Sequence, residues 1–188
     1  MKRFYISKLI ILIAFLTGWN FSASAQCNCF YQYKVPITVT NLGSTALTNY
    51  QVSITLNTSA LVTAGKMQAT GNDIRFTDNS CNNVSYYIQS GMNTASTLIW
   101  IKVPSIPASG TATVNLYYGN PTAAAASNGD STFTIFDDFL GATLNASKWT
   151  LVTSGGSATV AGGIISLNSG GAWAEVESNN SFAGPIIT

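Results

Sequence analysis

The chain has 188 residues, a length that suits one or two domains. Only 8% of its residues are charged, against about 25% in ordinary soluble proteins. Three of its eight basic residues lie within the first eight positions. Without them, the rest of the chain has five basic and seven acidic residues and a net charge of −2. No basic surface remains to hold nucleic acid or an anionic membrane. Since the sequence has no histidine, Ser-His-Asp and Cys-His catalysis are excluded within it.

The first 25 residues have the pattern of a secretory signal peptide. The early basic residues precede an apolar run, Leu9–Leu16, and Ala23-Ser24-Ala25 has the small-x-small pattern of a cleavage site. A membrane anchor is the weaker alternative, because spanning a bilayer takes about 20 apolar residues. We therefore expect cleavage before Gln26, a secreted or cell-surface protein, and no membrane contact after cleavage.

The three cysteines are Cys27, Cys29 and Cys81. Export makes disulfides possible, and a bridge from Cys29 or from Cys27 to Cys81 would tie the mature N-terminus to a turn in the middle of the first domain. A metal site is the alternative. It is disfavoured because three loosely spaced cysteines without histidine do not have the usual ligand pattern.

Six segments of alternating or apolar residues predict strands, and turn residues separate them. Between the second and third, residues 58–69 lack a clean period and predict a crossing loop with one helical turn. Six short strands in about 90 residues predict an all-β fold, an antiparallel β-sandwich. The segments are Phe30–Thr40, Asn49–Leu56, Gly71–Asp78, Val84–Gln89, Thr97–Val103 and Thr111–Tyr118.

Gly71–Asp78 (GNDIRFTD) predicts a turn, a short strand and a second turn. We interpret this short strand as the central strand of the domain, with Val84–Gln89 as its hairpin partner. Asp73 and Arg75 lie within it, and charges in a sheet are costly unless they are paired or hydrogen-bonded. The structural interpretation is therefore an ion pair or a clamp on the backbone. The alternative interpretation is a binding site.

The segment Thr97–Val103 is apolar on both faces, which predicts a strand covered on both sides. We therefore expect Trp100 to be buried and to have a structural role. The other side chains expected in the core are Ile74, Phe76, Leu116 and Val39.

Two pairs of adjacent tyrosines, Tyr86-Tyr87 and Tyr117-Tyr118, lie on predicted strands. Because side chains alternate along a strand, one member of each pair is expected to face outward. Outward aromatic rings beside Asn and Thr suit the stacking of sugar rings. The alternative is packing across strands or against a neighbouring domain.

Residues 121–130 are rich in Ala, Ser, Asn and Gly, which indicates a connector. We place the first domain at residues 26–127 and a linker at residues 128–135. Residues 136–188 show further strand patterns, but they are fewer than the roughly 100 residues that a β-sandwich needs. We expect them to be the truncated N-terminal part of a second β-sandwich.

Acidic residues of this second segment suggest two kinds of site. Asp137 and Asp138 are candidate calcium ligands, although two carboxylates fall short of the six to eight oxygens that calcium takes, so a turn-forming pair is the alternative. Glu175 and Glu177 lie on one face of a predicted strand, as glycosidase carboxylates do. An exposed, non-catalytic pair is the commoner arrangement, and we predict no catalytic residue.

From about Tyr31 to Phe139 the chain resembles a bacterial family of domains of unknown function, family 2341. The resemblance implies a β-sandwich module of exported or surface proteins, often beside a lectin-like sandwich, and no known activity. The chain departs from the family at residues 79–82, where a Gly-rich hairpin is common. The matching motifs are ITVTN, LTNYQVSITL, GNDIRFTD, LIWIKVPSIPASGTATVNLYYGN and SNGDSTFTIFDDF.

The following segment, with FDDFLGATLNASKWTLV and GGIISL, resembles the start of concanavalin-A-like sandwiches such as laminin-G domains and the family-sixteen glycoside hydrolases. Those hydrolases carry a Glu-x-Asp-x-x-Glu catalytic strand, which this sequence lacks. We therefore predict a non-catalytic module that binds a carbohydrate or surface polymer, or that spaces other domains of the same chain. The alternative is an accessory domain of a secreted glycoside hydrolase with its catalytic strand beyond Thr188.

Overall fold

The computed structural model describes Cys27 and residues 30–180. The predicted signal peptide (residues 1–25), Cys29 and residues 181–188 lie outside the described residues. The described chain is nearly all β, and every strand pairing is antiparallel. The strands are β1 (Tyr33–Asn41), β2 (Leu47–Leu56), β3 (Arg75–Thr77), β4 (Tyr86–Ser90), β5 (Thr97–Ile106), β6 (Gly110–Tyr118), β7 (Trp149–Thr153), β8 (Ser157–Ala161), β9 (Ile164–Asn168) and β10 (Ala174–Ser178), and the helices are α1 (Thr58–Thr63) and α2 (Gly129–Thr132).

Two three-stranded sheets form the first unit, with strand orders β1-β6-β3 and β2-β5-β4. Alternate residues of the central strands β5 and β6 point into a shared core, which is the arrangement of an antiparallel sandwich. The predicted sandwich-like all-β fold is therefore confirmed. The core contains Met67, Ile74, Phe76, Val84, Tyr86, Ile99, Ile101, Val103, Ile106, Val114, Leu116 and Tyr118.

The short strand predicted within Gly71–Asp78 is confirmed as β3, but its predicted central position in the domain is wrong. Only the three residues of β3 form a strand there, and β3 pairs with β6 at a sheet edge. Its expected hairpin partner, β4, pairs instead with β5 in the opposite sheet. The Asp78 carboxylate accepts hydrogen bonds from the N–H groups of Ser80 and Asn82, which closes a tight turn. After one bridge between Thr77 and Asn83, the chain crosses to the other sheet.

Trp100 is half-buried and does not lie in the core, contrary to the expectation. On β5 the neighbouring Ile99 and Ile101 point inward and are fully buried, so alternation places Trp100 on the outer face of the sheet. Val39 is also only half-buried, although it packs against the core from β1. Burial is confirmed for the remaining members of the expected core, Ile74, Phe76 and Leu116.

The predicted helical turn between the second and third strands is confirmed as α1. The side chain of Asn57 caps it by accepting the Ala60 N–H at 3.0 Å. Thr58, the first helical residue, is fully buried, and its hydroxyl lies 2.5 Å from that of Thr97 at the start of β5. The helix is therefore fixed to one end of the β2-β5-β4 sheet.

Residues 133–180 carry the last four strands, which form two two-stranded sheets, β10-β7 and β8-β9. Val160 is buried there, whereas Leu140, Ile164, Leu167 and Trp173 are exposed. A concanavalin-A-like sandwich and the domain boundaries stay predictions. Within the part of the chain that the structure describes, no helix combines the length and apolar character needed to cross a membrane.

Candidate functional site

Residues 120–136 are here called the strap, and residues 127–136 lie against the β2-β5-β4 sheet, although the composition of residues 121–130 suggested a connector. The Asn128 N–H donates to the Tyr86 carbonyl at 2.9 Å, and the Ser127 hydroxyl accepts the Ile88 N–H at 2.9 Å. Further along, the Thr132 carbonyl accepts a hydrogen bond from a side chain of β2. Because these contacts come from both edge strands of the sheet, the strap has a defined position on its outer face.

Aromatic rings of the strap pack on the outer face of this sheet. Phe133 and Phe136 lie nearly parallel, with centroids 5.9 Å apart. Tyr87 of β4 meets Phe136 edge-on at 4.5 Å, and Trp100 of β5 meets Phe133 edge-on at 5.6 Å. A methyl group at the buried Gly129 would overlap the Phe136 ring, so this close approach requires glycine.

A cleft of about 550 Å³ opens beside these rings. We call it the aromatic cleft. Its aromatic wall consists of Tyr87, Trp100, Phe133, Phe136 and Phe139, and two polar residues of its rim are Gln89 and Asp138. The first sandwich provides one side and residues 133–163 provide the other. Ligand sites often occur at such junctions, where apolar walls carry a few polar groups.

The two polar rim residues, Gln89 and Asp138, can form further hydrogen bonds. The Gln89 side-chain oxygen accepts the Trp100 indole N–H at 2.6 Å, which orients the amide and fixes the indole ring. Asp138 is exposed, and one of its oxygens accepts the Leu140 N–H at 3.2 Å. Burial, and to a smaller extent the negative charge of Asp138, raises the pKa of the Tyr87 hydroxyl. Tyr87 therefore stays neutral and can donate a hydrogen bond at physiological pH.

Phe139 lines the cleft with a strained backbone. Its φ angle is 50°, in the left-handed region that costs a bulky residue about 1–2 kcal/mol. Its N–H donates to Asp137 at 2.9 Å, and its carbonyl accepts the Gly163 N–H at 3.1 Å. Its ring lies 5.9 Å from that of Trp149. Such conformations persist where surrounding contacts determine them, and they cluster at functional sites.

The predicted calcium ligands have other contacts. Asp137 accepts the Phe139 N–H with one oxygen and the Trp149 indole N–H, at 2.8 Å, with the other. Asp138 forms the short-range turn contact to Leu140. Among the described residues, no three His, Cys, Asp or Glu side chains lie together as a metal site would require. These contacts are those of a turn, and calcium binding stays a prediction.

The structure does not form the outward tyrosine face that the sequence suggested. Tyr86, Tyr117 and Tyr118 are 3%, 0% and 8% exposed. The Tyr86 hydroxyl donates to the Ile74 carbonyl at 2.7 Å inside the core. Tyr117 does point outward on β6, but other side chains cover it. Of the four predicted ligand-binding tyrosines, Tyr87 alone lines the aromatic cleft.

Asp73 and Arg75 do not form an ion pair. Asp73 is buried, and its two oxygens accept the N–H groups of Gln68 and Gly119 at 3.0 and 2.8 Å. The Arg75 guanidinium donates to three backbone carbonyls, those of Asn72, Ile74 and Ala124. Both residues thus clamp the backbone, one of the two structural alternatives that the sequence left open.

A disulfide joins Cys27 to Cys81, with their Cα atoms 5.0 Å apart. It ties the segment before β1 to the turn after β3. This pairing is one of the two that the cysteine spacing allowed. It is not the Cys29–Cys81 alternative, and Cys29 itself lies outside the described residues.

Three aromatic residues of the cleft wall were not predicted from the sequence: Phe133, Phe136 and Phe139. Their regular spacing of three residues in FTIFDDF was the available signal. A second signal was Trp100, which shares a strand face with Leu98 rather than with the inward isoleucines. Neither signal identifies the partner surface, because the strap and β4 are far apart in sequence.

The comparison with protein-family models gives one match, over residues 70–152, to "Domain of unknown function (DUF2341)". The matched range begins just before β3, contains the strap and the whole aromatic wall, and ends in β7. No curated protein and no solved structure matches the chain. The family match supports the resemblance drawn from the motifs, and residues 70–152 are accordingly similar to a family of domains of unknown function.

Proposed function

We propose that this chain is a non-catalytic binding module of a secreted or cell-surface bacterial protein, and that it binds a glycan or surface polymer in the aromatic cleft. The observation that supports this most is the combination of five aromatic side chains with Gln89 and Asp138 around one opening of about 550 Å³. Apolar walls with a few polar groups are the usual composition of small-ligand sites.

The chemistry of the cleft suits a sugar ring. Aromatic side chains offer flat apolar surface to the C–H faces of a pyranose. The Gln89 amide nitrogen and the exposed Asp138 carboxylate can bond its hydroxyls, since each has capacity beyond its contacts within the protein. The cleft is open to solvent and buries only part of a ligand, so we expect dissociation constants in the micromolar to millimolar range.

Titration of the intact protein with cellohexaose, laminarihexaose and chitohexaose, followed by tryptophan fluorescence and calorimetry, tests the proposal. Trp100 lies in the cleft wall, so binding is expected to change its emission. Tyr87→Ala is expected to weaken binding about tenfold, or about 1.4 kcal/mol. Tyr50→Ala is the matched control, because Tyr50 is exposed and does not line the cleft. Equal affinities for both variants would refute the assignment of the cleft.

The same titrations can test whether glycan binding depends on calcium. The sequence predicted Asp137 and Asp138 as ligands, and other ligands would have to come from elsewhere in the fold. We expect chelator to change glycan affinity only if such a site forms. Glycan titrations with calcium and with chelator, on the wild type and on Asp138→Asn, measure whether calcium changes glycan affinity. Asp138→Asn keeps an oxygen acceptor for the Leu140 N–H, so the turn is preserved.

A spacer between domains is the second candidate, and the ordered strap favours it. Hydrogen bonds and packed aromatic rings hold the strap on the sandwich, as a rigid joint to the following residues requires. If no glycan binds and Tyr87→Ala instead increases proteolysis in the strap, the spacer is the better description. An accessory domain of a glycoside hydrolase is the remaining alternative, and a Glu-x-Asp-x-x-Glu strand encoded beyond Thr188 would support it.

The proposed export has its own test. N-terminal sequencing of the mature protein is expected to find Gln26 or a neighbouring residue first, because the Ala23-Ser24-Ala25 pattern follows the apolar run. Membrane-bound protein that retains Met1 would contradict a cleaved signal peptide.

A further inference from the structure

A second cleft, of about 400 Å³, opens between β3, the residues before β4 and the strap. We call it the Arg75 cleft. It shares no lining residue with the aromatic cleft. The lining residues used below are Tyr31, Arg75, Asn83, Ala126, Asn128 and Ser131.

The Arg75 guanidinium is held rigidly in the wall of this cleft. Its Nη1 donates to the carbonyls of Asn72 and Ile74 at 2.8 and 2.6 Å, and its Nη2 donates to that of Ala124 at 2.5 Å. The Tyr31 ring lies 5.8 Å from the guanidinium carbon. Three of the five N–H donors are thereby used and the orientation is fixed, so a ligand does not have to order this side chain.

Arg75 has no carboxylate partner in the part of the chain that the structure describes. Within the described residues the only salt bridge joins Lys148 to Asp130. The nearby Asp73 carboxylate is buried and is occupied by two backbone N–H groups. Among the described residues, Arg75 is the only charged one that lines the cleft. The cleft therefore favours an anion.

The other lining groups indicate how much negative charge the ligand carries. Asn83, Asn128 and Ser131 are neutral hydrogen-bonding side chains. The Asn128 side-chain oxygen accepts the Ser131 N–H, which leaves its amide NH₂ free to donate. One cation among neutral amides and hydroxyls matches a monoanion with several hydroxyls. A dianionic phosphate would leave one negative charge without a partner.

From this arrangement we propose that the Arg75 cleft binds a uronic acid unit, a sugar with one carboxylate, independently of the aromatic cleft. The carboxylate accepts from Arg75, while the neutral side chains bond the ring hydroxyls. The proposal adds a second, acidic-sugar site to the neutral-glycan cleft proposed above, and neither depends on the other.

The test compares matched sugars on the intact protein by NMR chemical-shift titration. Galacturonate and glucuronate are expected to bind with millimolar affinity, at least tenfold more tightly than galactose and glucose, and more weakly as salt is raised. Equal binding of the neutral sugars would overturn the carboxylate contact. Equal binding of glycylglycine, which has a carboxylate but no sugar hydroxyls, would overturn the assignment to a sugar.

Variants locate the site without removing the Arg75 clamp. Ala126→Phe places a ring in the cleft from an exposed strap position and is expected to abolish uronate binding. Ala125→Phe is the matched control, because Ala125 is exposed and does not line the cleft. Tyr87→Ala is expected to leave uronate binding unchanged, which separates this site from the aromatic cleft. Unchanged uronate binding in Ala126→Phe would refute the proposal. An equal loss of binding in Ala126→Phe and Ala125→Phe would refute it too.

Discussion

The buried carboxylate of Asp73 accepts a hydrogen bond from the backbone N–H of Gly119 at 2.8 Å, which joins the turn before β3 to the end of β6. Its other oxygen accepts the Gln68 N–H at 3.0 Å. Two charge-assisted hydrogen bonds to one buried group are strong, and their removal leaves two N–H donors without partners. The Asp73 side chain therefore holds together three segments of the first unit.

Asp73→Ala is expected to lower the free energy of unfolding by about 3 kcal/mol, because the N–H groups of Gln68 and Gly119 lose their acceptors. Urea denaturation followed by circular dichroism measures this loss. Glu177→Ala is the control, since it removes an exposed carboxylate from β10 and is expected to change stability by less than about 0.5 kcal/mol. A loss below about 1 kcal/mol for Asp73→Ala would contradict the clamp.

The hydroxyl of Tyr86 predicts a pH dependence of stability. Burial raises the pKa of Tyr86 from its ordinary value of 10.0 to about 12, because the phenolate is poorly solvated in the core. The folded state thus holds the proton more tightly than the unfolded state does. The resulting stability is fully present below pH about 10 and is lost as the pH rises toward about 12.

Tyr86→Phe tests this dependence by removing the titrating group. At pH 7 the variant is expected to lose about 1 kcal/mol, because the hydrogen bond from the Tyr86 hydroxyl to the Ile74 carbonyl is removed. Between pH about 10 and 12 the difference from the wild type is expected to shrink and then to change sign. Only the wild type loses stability through Tyr86 there, by about 1.4 kcal/mol per pKa unit. Denaturation curves at pH 7, 10 and 11.5 measure it. A constant difference would contradict the raised pKa.

The alternation of polar and apolar residues predicted where the strands lie, but it did not predict the contacts between segments that are distant in sequence. It located six strands, because the period of a strand depends only on neighbouring residues. It expected Trp100 in the core, whereas the structure buries Ile99 and Ile101 instead. It failed at Tyr117, which faces away from the core and yet is fully buried. Tyr31, which packs edge-on 6.4 Å from it, covers that face from far away in sequence.

The candidate site was harder to predict for the same reason. The sequence predicted that one member of the Tyr86-Tyr87 pair faces outward, without saying which. The partners of Tyr87, Phe133 and Phe136, come from the strap, more than 40 residues later in the chain. Alanine-rich composition indicated a connector, because composition reports flexibility and not the hydrogen bonds that a segment makes after folding. For Asp73 and Arg75, residue type predicted the need for partners, whereas only the structure identified backbone atoms as those partners.

Gly129→Ala is expected to displace the Phe136 ring, because the added methyl group would occupy the space of that ring. The stacked pair of Phe133 and Phe136 would separate, and the aromatic cleft would lose part of its wall. Near-ultraviolet circular dichroism and Trp100 emission report the change. Gly141→Ala is the matched control, since its methyl would make only an ordinary contact, 3.4 Å from the Thr143 carbonyl. Identical spectra for both variants would argue against the close approach.

The disulfide between Cys27 and Cys81 links residues 54 positions apart. A cross-link over a loop of this length restricts the unfolded chain and typically contributes about 2–4 kcal/mol. Cys27→Ser and Cys81→Ser are each expected to lower the unfolding free energy by this amount under oxidising conditions. In the presence of reductant both variants should equal the wild type, because the bond is then absent from all three proteins.

Cys29→Ser separates the observed pairing from the other one that the sequence allowed. With the Cys27–Cys81 bond intact, this variant is expected to retain wild-type stability without reductant. Non-reducing peptide mapping of the same protein is expected to recover the Cys27 and Cys81 peptides as one species. If Cys29→Ser instead lost as much stability as Cys81→Ser, while Cys27→Ser lost none, the bond would join Cys29 to Cys81. The bond would then join the turn after β3 to Cys29, which is two residues nearer in sequence to the start of β1 than Cys27 is.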